Sequence, residues 1–467
     1  MDAHRSVSRR RFLRLGGAAM AAGALAACAP PAATPAATSA PAKETVVVKE
    51  TVVTQPTPAY EQGELYVLVC CSGPEEQEAK NEFGQRFAES HPGATVRLEP
   101  MPAGQNYFEK LQTVIAAGTA PDVYDMWEGY VQPYAKNGAL LNLEPFLEKD
   151  AKLKKSDLWE GALEAVSWEG DLYAMLICIM PGPVSLYYNK PLLDAAGVSY
   201  PTSDWTWNQM RDAAIRLTAD TNGDGEPEQY GLVFDNWFVP WTYWIWSNGG
   251  DVFADNDTKC ALTDPKAYGA IQYWADLVVK DKCAPTASVQ STMQGSMNMF
   301  KGNMAALYLG NCWDLAGLND ARTQGLDWGA CLAPKANDGN RVFYQHTWCW
   351  GIWPGSKKQN LAWEYVRDFV TDEKMITAFN TFQKAFPGVK ALLHTFMTPE
   401  TEALGWTAIV DIVGDPKKLR YPGSGAKWDK ISSMIQAEWD LVFVGDKTAE
   451  QAAKDVCPVV EEELART

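Results

Sequence analysis

The sequence predicts an α/β protein built on an open sheet. Short apolar runs that resemble buried strands alternate with amphipathic helical patterns along the chain, beginning near residue 65. With 467 residues, 46% of them hydrophobic and 21% charged, the chain is long enough for two or three domains with their own cores. Because ligands of such folds bind at the carboxyl ends of the strands, functional residues are expected there.

Residues 1–27 carry the features of a bacterial lipoprotein export signal. Residues 8–14 read SRRRFLR, similar to the twin-arginine pattern, and a weakly apolar run too short to cross a bilayer follows. Residues 25–28 read LAAC and resemble a lipobox, whose cysteine receives lipid. The alternative is an amphipathic helix with a chance arginine cluster. The order of these segments predicts export and a lipid anchor at Cys28, on the outer face of the cell membrane (periplasm or cell surface).

The stretch from residue 28 to 63 is predicted to be a tether. Pro, Ala, Thr and Ser dominate it, and no apolar face repeats at 3.6 or 2 residues. Such a composition cannot bury enough apolar surface to fold, so we expect a disordered linker that holds the body away from the membrane.

Ten cysteines are present, and nine remain once Cys28 is assigned to lipid. Export permits disulfides, and Cys260 and Cys283 flank a predicted helix and could pair. The odd number implies at least one free buried thiol. No Cys-x-x-Cys or metal-spaced Cys/His cluster occurs, so a zinc site is not expected.

The folded body begins with three strand-like runs separated by two helices. The strands are predicted at 65–70, 95–98 and 123–126, and the second helix at 107–117. Further strands are predicted at 230–234 and 305–309. A long helix is predicted over 360–384, with one apolar stripe: Leu361, Tyr365, Val366, Phe369, Val370 and Ile376.

Net charge and histidine content exclude several functional classes. The net charge of −17 makes a nucleic-acid-binding protein unfavourable, since phosphates would be repelled. Only four histidines occur, which argues against a histidine-built metal enzyme or triad. No Gly-x-Ser-x-Gly, Walker or His-Glu-x-x-His motif is present. A glycoside hydrolase stays open, because it needs only two carboxylates flanking the sugar. A scaffold or adhesin would predict repeats, and none are seen.

An ordered series of motifs resembles one protein family. The segments are GTAPDV (118–123) with NGALL (137–141), GDLYA (170–174), LYYNK (186–190), AG (196–197), WTW (205–207), KGNMAA (301–306) with Gly310 and Trp313, and WGI (350–352) with GS (355–356). Together they resemble the extracellular solute-binding lipoproteins of ABC importers, the maltose-binding-protein-like (family 1) sugar-binding group. The resemblance runs from about residue 65 to 460.

This resemblance implies a periplasmic-binding-protein-like type II fold, with two α/β lobes, a hinge and a ligand cleft between the lobes. Lobe 1 would comprise 64–181 and 349–386, and lobe 2 would comprise 182–348 and 387–467. The chain would cross between lobes near 180–184, 346–349 and 386–388. Closure of the lobes around the ligand is then the expected motion. The implied partner is an ABC permease in the membrane, and the implied state is a monomer that is not an enzyme and requires no cofactor.

Aromatic residues beside polar residues mark the predicted cleft. The sequence contains 19 Trp, and a Trp ring matches the apolar face of a pyranose while carboxylates and amides bond its hydroxyls. Family cleft aromatics map onto Trp127, Trp313 and Trp428. The full set of predicted ligand-binding residues is Asp125, Trp127, Glu128, Asn236, Trp237, Trp241, Asn311, Trp313, Asp314, Trp348 and Trp428.

Core packing is the alternative role for each tryptophan. A packing role is favoured for the residues in helical patterns, namely Trp244, Trp246, Trp274, Trp363 and Trp439. Because arginine is scarce near the cleft motifs, a di- or oligosaccharide is favoured over a phosphorylated solute. Polyamines and metals, which relatives of the family also carry, stay open as ligands.

One loop has the spacing of a calcium site. Residues 220–228 read DTNGDGEPE, with oxygen-bearing side chains at Asp220, Asn222, Asp224, Glu226 and Glu228. This matches the first part of an EF-hand-type loop, but Gly231 stands where the bidentate Glu belongs. The sequence allows either a structural Ca²⁺ site or a tight turn ahead of the next strand.

Overall fold

The computed structural model describes residues 60–466, apart from 71, 102–104, 256, 416 and 423–426. These residues belong to one compact unit that extends from Pro58 to Thr467. The predicted export signal, Cys28 and the linker up to residue 59 lie outside the described residues and stay predictions. Among the helices described, none has the length and apolar character needed to cross a membrane.

Strands and helices alternate through the described chain. The strands are β1 Gly63–Cys70, β2 Ala94–Met101, β3 Val123–Trp127, β4 Ser167–Trp168, β5 Asp171–Leu172, β6 Ala174–Gly182, β7 Ser185–Asn189, β8 Tyr230–Phe234, β9 Phe253–Ala254, β10 Lys259–Cys260, β11 Ala305–Gly310, β12 Trp328–Leu332, β13 Phe343–Ile352, β14 Phe386–Pro387 and β15 Leu419–Arg420. The α-helices are α1 Pro74–Ser90, α2 Gln105–Ala116, α3 Glu128–Lys136, α4 Glu144–Lys149, α5 Lys190–Ala195, α6 Trp207–Leu217, α7 Phe238–Ser247, α8 Pro265–Val279, α9 Ala287–Thr292, α10 Ser296–Lys301, α11 Asp314–Thr323, α12 Gln359–Thr371, α13 Glu373–Gln383, α14 Pro399–Ala403, α15 Ile409–Val413, α16 Trp428–Phe443 and α17 Ala449–Ala465.

The larger sheet has the strand order β14-β6-β13-β3-β1-β2, and β15 pairs with β13. β1 runs parallel to β2 and β3, which confirms the predicted β-α-β-α-β unit at the start of the body. β13 runs antiparallel to both β3 and β6, so the sheet as a whole is mixed. The buried side chains of β1 and the Phe83 and Phe87 face of α1 form part of its core.

The smaller sheet has the order β12-β7-β11-β8, in which β8 is parallel to β11 and β7 is antiparallel to its two neighbours. The chain passes from the larger sheet to the smaller one through residues 183–184, between β6 and β7. A Cβ atom on Gly182 would lie 2.7 Å from Val239, so only glycine fits at this passage.

The return of the chain to the larger sheet lies earlier in the sequence than the predicted lobe crossing, which stays a prediction. It occupies residues 333–342, between β12 and β13, whereas the motifs indicated 346–349. Residues 346–349 instead lie inside β13 and pair with β6. A motif marks a strand but not the register at which that strand begins. The assignment of whole segments to two lobes stays a prediction.

The predicted helix over 360–384 is two helices. α12 ends before Asp372, and α13 begins after it, because the Asp372 carboxylate accepts a hydrogen bond of 2.6 Å from the backbone N–H of Met375. Such a cap satisfies a donor that the first turn of a helix leaves free. The predicted apolar stripe is nevertheless correct, since all six of its residues are buried.

The disulfide of Cys260 also differs from the predicted pairing. Cys260 in β10 bonds to Cys457 in α17, 197 residues away, and Cys283 is a buried free thiol. The reason is the length of α8, which separates Cys260 from Cys283. Its 15 residues span about 22 Å, far beyond the reach of a disulfide. Buried free thiols at five positions confirm the expectation drawn from the odd count.

Candidate functional site

Three ring-bearing side chains from both sheets meet at one point. Trp127 ends β3, His346 lies in β13, and Trp313 follows β11 directly before α11. The ring centre of His346 is 6.2 Å from that of Trp127 and 5.7 Å from that of Trp313. All three side chains are partly exposed. We call Trp127, Trp313 and His346 the aromatic junction, because it joins the larger sheet to the smaller one.

Two further groups of aromatic rings pack nearby, and Phe108 and Tyr344 in them are buried. Phe108 lies 5.1 Å from Trp127 and stacks on Tyr130 at 3.5 Å. The ring of Trp237 lies 4.8 Å from Phe238 at the start of α7, and Phe238 contacts Tyr344 of β13. Sequence reasoning missed His346 and Tyr130 as members of the site. No local motif marks either residue, since one lies within a strand and the other within a helix.

Glu128, predicted to contact the ligand, lies beneath the junction instead. Its carboxylate is buried, accepts hydrogen bonds from the Tyr344 hydroxyl (2.9 Å) and the backbone N–H of Thr347 (2.8 Å), and lies 2.9 Å from Nδ1 of His346. All three partners belong to β13, so Glu128 ties the start of α3 to that strand. Its role in this conformation is to orient His346.

Asp125 is a second buried carboxylate below the site. It accepts a 2.7 Å hydrogen bond from the backbone N–H of Cys70 and lies 3.7 Å from Nζ of Lys80. Glu76, also buried, lies 3.0 Å from the same ammonium group. Burial raises the pKa of Asp125 to about 6, although Lys80 acts in the opposite direction. Asp125 is only 1% exposed and faces an ion pair rather than solvent.

Asp314 and Asn311 shape the turn that carries Trp313. The Asp314 carboxylate, at the first residue of α11, accepts hydrogen bonds from the Tyr308 hydroxyl (2.8 Å) and the Asn311 backbone N–H (2.7 Å). Burial raises the pKa of Asp314 to about 6, and the two hydrogen bonds limit that rise. Asn311 is buried, and its Oδ1 has no hydrogen-bond partner among the described residues. Both residues therefore fix the Trp313 backbone from below.

Three of the predicted cleft tryptophans are buried by the protein itself. Trp428 is 2% exposed, with its ring centre 5.8 to 6.0 Å from those of Phe238, Trp241 and Phe253. Trp241 donates its indole N–H to Gln436 at 3.0 Å. Trp348 is 5% exposed and packs against Phe379. In this conformation none of the three offers a face to a solute, and the packing role that the sequence left open matches their surroundings.

Trp237 stays a candidate, because its side chain is partly exposed at the start of α7. Its neighbour Asn236 is held by α16. The side-chain amide of Asn236 donates to Asp440 (3.2 Å), and its backbone carbonyl accepts from the side-chain amide of Gln436 (3.1 Å). These two hydrogen bonds tie the segment that follows β8 to α16. Asn236 thus holds the backbone next to Trp237 against α16.

The acidic loop between α6 and β8 brings three of its five predicted ligands together. Carboxylate oxygens of Asp220, Asp224 and Glu228 lie within 4.8 Å of one another. Glu226 points toward Lys282 instead (3.7 Å), and the Asn222 amide donates to Asp224 (3.1 Å). Three carboxylates suit a hard cation such as Ca²⁺.

No side chain at position 231 could supply the missing calcium ligand. A Cβ atom there would lie 1.8 Å from the Ala214 carbonyl oxygen of α6, so only glycine fits. The strand β8 packs against the helix too closely for any side chain at this position. A cation bound by the loop would therefore complete its shell with other oxygens. Calcium binding by Asp220, Asn222, Asp224, Glu226 and Glu228 stays a prediction.

The sequence profile of the bacterial extracellular solute-binding proteins matches residues 73–376. The chain belongs to this family. This solute-binding protein is 21% identical over 375 residues to the maltotriose-binding protein of Pyrococcus abyssi, covering 74% of this chain and 76% of the relative. It is 26% identical over 275 residues to the diacetylchitobiose binding protein DasA of Streptomyces coelicolor, covering 57% of this chain and 60% of the relative.

Solved structures share the fold of this solute-binding protein. An ABC substrate-binding protein from Listeria monocytogenes, solved in complex with cycloalternan, matches with a TM-score of 0.75 at 24% identity. The match covers 87% of this chain and 100% of that one. The predicted periplasmic-binding-protein-like α/β class is therefore confirmed. The assignment as a solute-binding receptor is confirmed as well, through the family match.

Proposed function

We propose that this solute-binding protein captures a di- or oligosaccharide and delivers it to an ABC permease. The observation that carries the proposal is the aromatic junction, where partly exposed Trp127 and Trp313 come from different sheets and meet at His346. Rings that approach from two sheets can enclose the apolar faces of a sugar. The maltotriose and diacetylchitobiose relatives support the same ligand class.

The proposed function is binding without catalysis. A glycoside hydrolase needs an acid and a second carboxylate that both reach the sugar. Near the junction, Asp125, Glu128 and Asp314 are each at most 8% exposed, and each accepts hydrogen bonds from the protein. Carboxylates held in this way support the packing below the site. This favours a receptor over the hydrolase that the sequence left open.

Tryptophan fluorescence and calorimetry test the ligand class. Maltotriose and diacetylchitobiose serve as sugar probes, and a glycerol phosphate and a polyamine serve as counter-probes. We expect saturable binding of at least one sugar and no response to the other two solutes. Binding of only a phosphorylated or cationic solute would contradict the proposal.

We further propose that the mature chain is a monomer, anchored by lipid on Cys28 after export through the twin-arginine signal. The lipobox at 25–28 supports the lipid anchor, and the extracellular character of the family supports export. Labelling cells with a radioactive fatty acid tests the anchor. The wild type should be labelled and the Cys28→Ser variant should not, and persistent labelling of the variant would refute the anchor.

A further inference from the structure

The hydrogen bonds of Glu128 determine which nitrogen of His346 carries the proton. Glu128 accepts from the Tyr344 hydroxyl at Oε1 and from the Thr347 backbone N–H at Oε2. An ionised carboxylate can only accept, so in that state Nδ1 of His346 is the donor of its 2.9 Å contact with Glu128. The neutral ring of His346 is thereby assigned to the Nδ1–H tautomer.

This tautomer leaves Nε2 of His346 as an acceptor without a proton. Among the described residues, Nε2 has no hydrogen-bond partner. It is also not one of the fully buried atoms without a partner, so solvent can reach it. The side chain is 16% exposed, and its ring contacts both Trp127 and Trp313. A solvent-accessible acceptor therefore lies within the aromatic junction.

We propose that Nε2 of His346 binds the ligand, by accepting a hydrogen bond from a hydroxyl group of the bound sugar. This inference rests on the proposed function. The two Trp faces offer apolar contact without a lone-pair acceptor, and the nearby carboxylates of Glu128 and Asp314 already accept from protein donors. His346 supplies the acceptor that these groups lack.

The same geometry gives a preference among solutes. A sugar hydroxyl can donate its hydrogen to a bare nitrogen, whereas an ionised phosphate has only acceptor oxygens and would be repelled by that lone pair. Glu128 is the positioning residue in this arrangement, because it fixes the ring and its proton from beneath. Together they select neutral, hydroxylated ligands over anionic ones.

The first test reads the tautomer directly and needs no ligand. Long-range ¹⁵N–¹H NMR at pH 8 distinguishes protonated from bare imidazole nitrogens, and the chain has only four histidines to assign. The His346→Gln variant identifies the His346 signals. We expect a protonated Nδ1 and a bare Nε2 for His346. A protonated Nε2 would overturn the proposal.

The second test separates the acceptor from the packing of the ring. His346→Asn keeps an amide N–H near Glu128, in place of Nδ1, but has no atom at the position of Nε2. Calorimetry with maltotriose and diacetylchitobiose should show about 3- to 10-fold weaker binding for the variant. This is the loss in affinity expected when one hydrogen bond to the ligand is removed. The matched control is His394→Asn, at an exposed residue paired with Glu373.

The outcomes of this second test are distinct. If the wild type binds a sugar and His346→Asn binds it within twofold as tightly, while melting at the same temperature, the inference about His346 is wrong. If the wild type binds neither sugar, the proposed function for these ligands fails, and with it the sugar hydroxyl as donor. The NMR result then still reports whether Nε2 is a free acceptor.

Discussion

At the scale of single residues, tryptophans with similar sequence surroundings occupy two different environments. Trp244, Trp246, Trp274, Trp363 and Trp439 are all buried, which confirms the packing role predicted from their helical patterns. In the sequence, Trp313 and Trp428 each stand beside polar residues and a predicted turn. Trp313 is partly exposed, whereas Trp428 is enclosed by three aromatic rings. The difference arises from which element packs over each ring.

This difference predicts contrasting effects of alanine substitutions. Trp127→Ala and Trp313→Ala should weaken sugar binding by about 2–4 kcal/mol, the range of a binding hot spot, or about 30- to 1,000-fold. Trp428→Ala should instead lower the free energy of unfolding by about 3–5 kcal/mol, because it leaves a cavity. Calorimetry and urea denaturation measure the two effects.

The control for these variants is Trp353→Ala. Trp353 is also partly exposed but follows the far end of β13, whose last residue Ile352 pairs with the start of β3. It should leave sugar affinity unchanged. Wild-type affinity in both Trp127→Ala and Trp313→Ala would show that the binding surface lies elsewhere.

The buried carboxyl of Asp314 predicts a pH dependence of stability. Its pKa is raised by burial to about 6, above the ordinary value near 4, so the folded state holds the proton more tightly than the unfolded state. Stability from this group is fully present below pH 4 and is lost as the pH rises to about 6. Asp314→Asn keeps an acceptor for Tyr308 and removes the buried charge.

We therefore expect Asp314→Asn to be more stable than the wild type at pH 8, by at most about 3 kcal/mol, and similar to it at pH 4. Urea denaturation at both pH values measures the difference. Asp411→Asn, at an exposed carboxylate of α15, serves as the control and should change little at either pH. A loss of stability at pH 8 would show that the charged form is favoured.

At the scale of elements, the length of one helix decides the disulfide pairing. The 15 residues of α8 separate Cys260 from Cys283, while α17 brings Cys457 next to β10. A cross-link between positions 197 residues apart removes much conformational entropy from the unfolded chain. The bond therefore ties the C-terminal helix to the earlier part of the fold.

Reduction of Cys260–Cys457 should lower the free energy of unfolding by about 2–5 kcal/mol. The Cys260→Ser and Cys457→Ser variants should show similar losses, and the double variant should lose no more than either single one. Urea denaturation measures the stability, and mass spectrometry of non-reduced peptides identifies the pair. A Cys260–Cys283 peptide would contradict the structure.

The acidic loop gives a second prediction for an element. Calcium should raise the melting temperature of the protein if Asp220, Asp224 and Glu228 bind it, by mass action on the folded state. Asp224→Asn should reduce this shift, whereas Glu226→Gln should not, since Glu226 is directed toward Lys282.

An unchanged melting temperature at millimolar Ca²⁺, after chelation of any bound ion, would contradict calcium binding. The loop would then be a turn held by its own hydrogen bonds, such as those from the backbone N–H groups of Gly223 and Gly225 to Asp220.

At the scale of the whole molecule, the larger and smaller sheets are joined by residues 183–184 and 333–342, and we expect the sheets to approach each other when ligand binds. Binding that contacts Trp127 from the larger sheet and Trp313 from the smaller one favours the conformation in which both reach the ligand. Sugar should therefore reduce the radius of gyration measured by small-angle scattering. An identical scattering curve at saturating maltotriose, with binding verified by calorimetry, would indicate a rigid protein.

The sequence by itself determined the fold class, the early β-α-β-α-β unit and the family. Each of these depends on local patterns, such as the apolar run of β1 or the stripe of α12, whose period reports burial directly. The ordered motifs added the receptor class. The helix break at Asp372 was also encoded locally, because an N-cap carboxylate signals a helix start, but the longer stripe obscured it.

Only the tertiary structure decided which polar and aromatic residues face a ligand. Trp428 and Glu128 have the neighbours expected of cleft residues, yet rings and donors from distant segments cover them. His346 enters the site because β13 pairs with β3 and brings it beside Trp127, in a register that no local pattern records. Exposure depends on contacts between residues hundreds of positions apart, and these form only when the whole chain has folded.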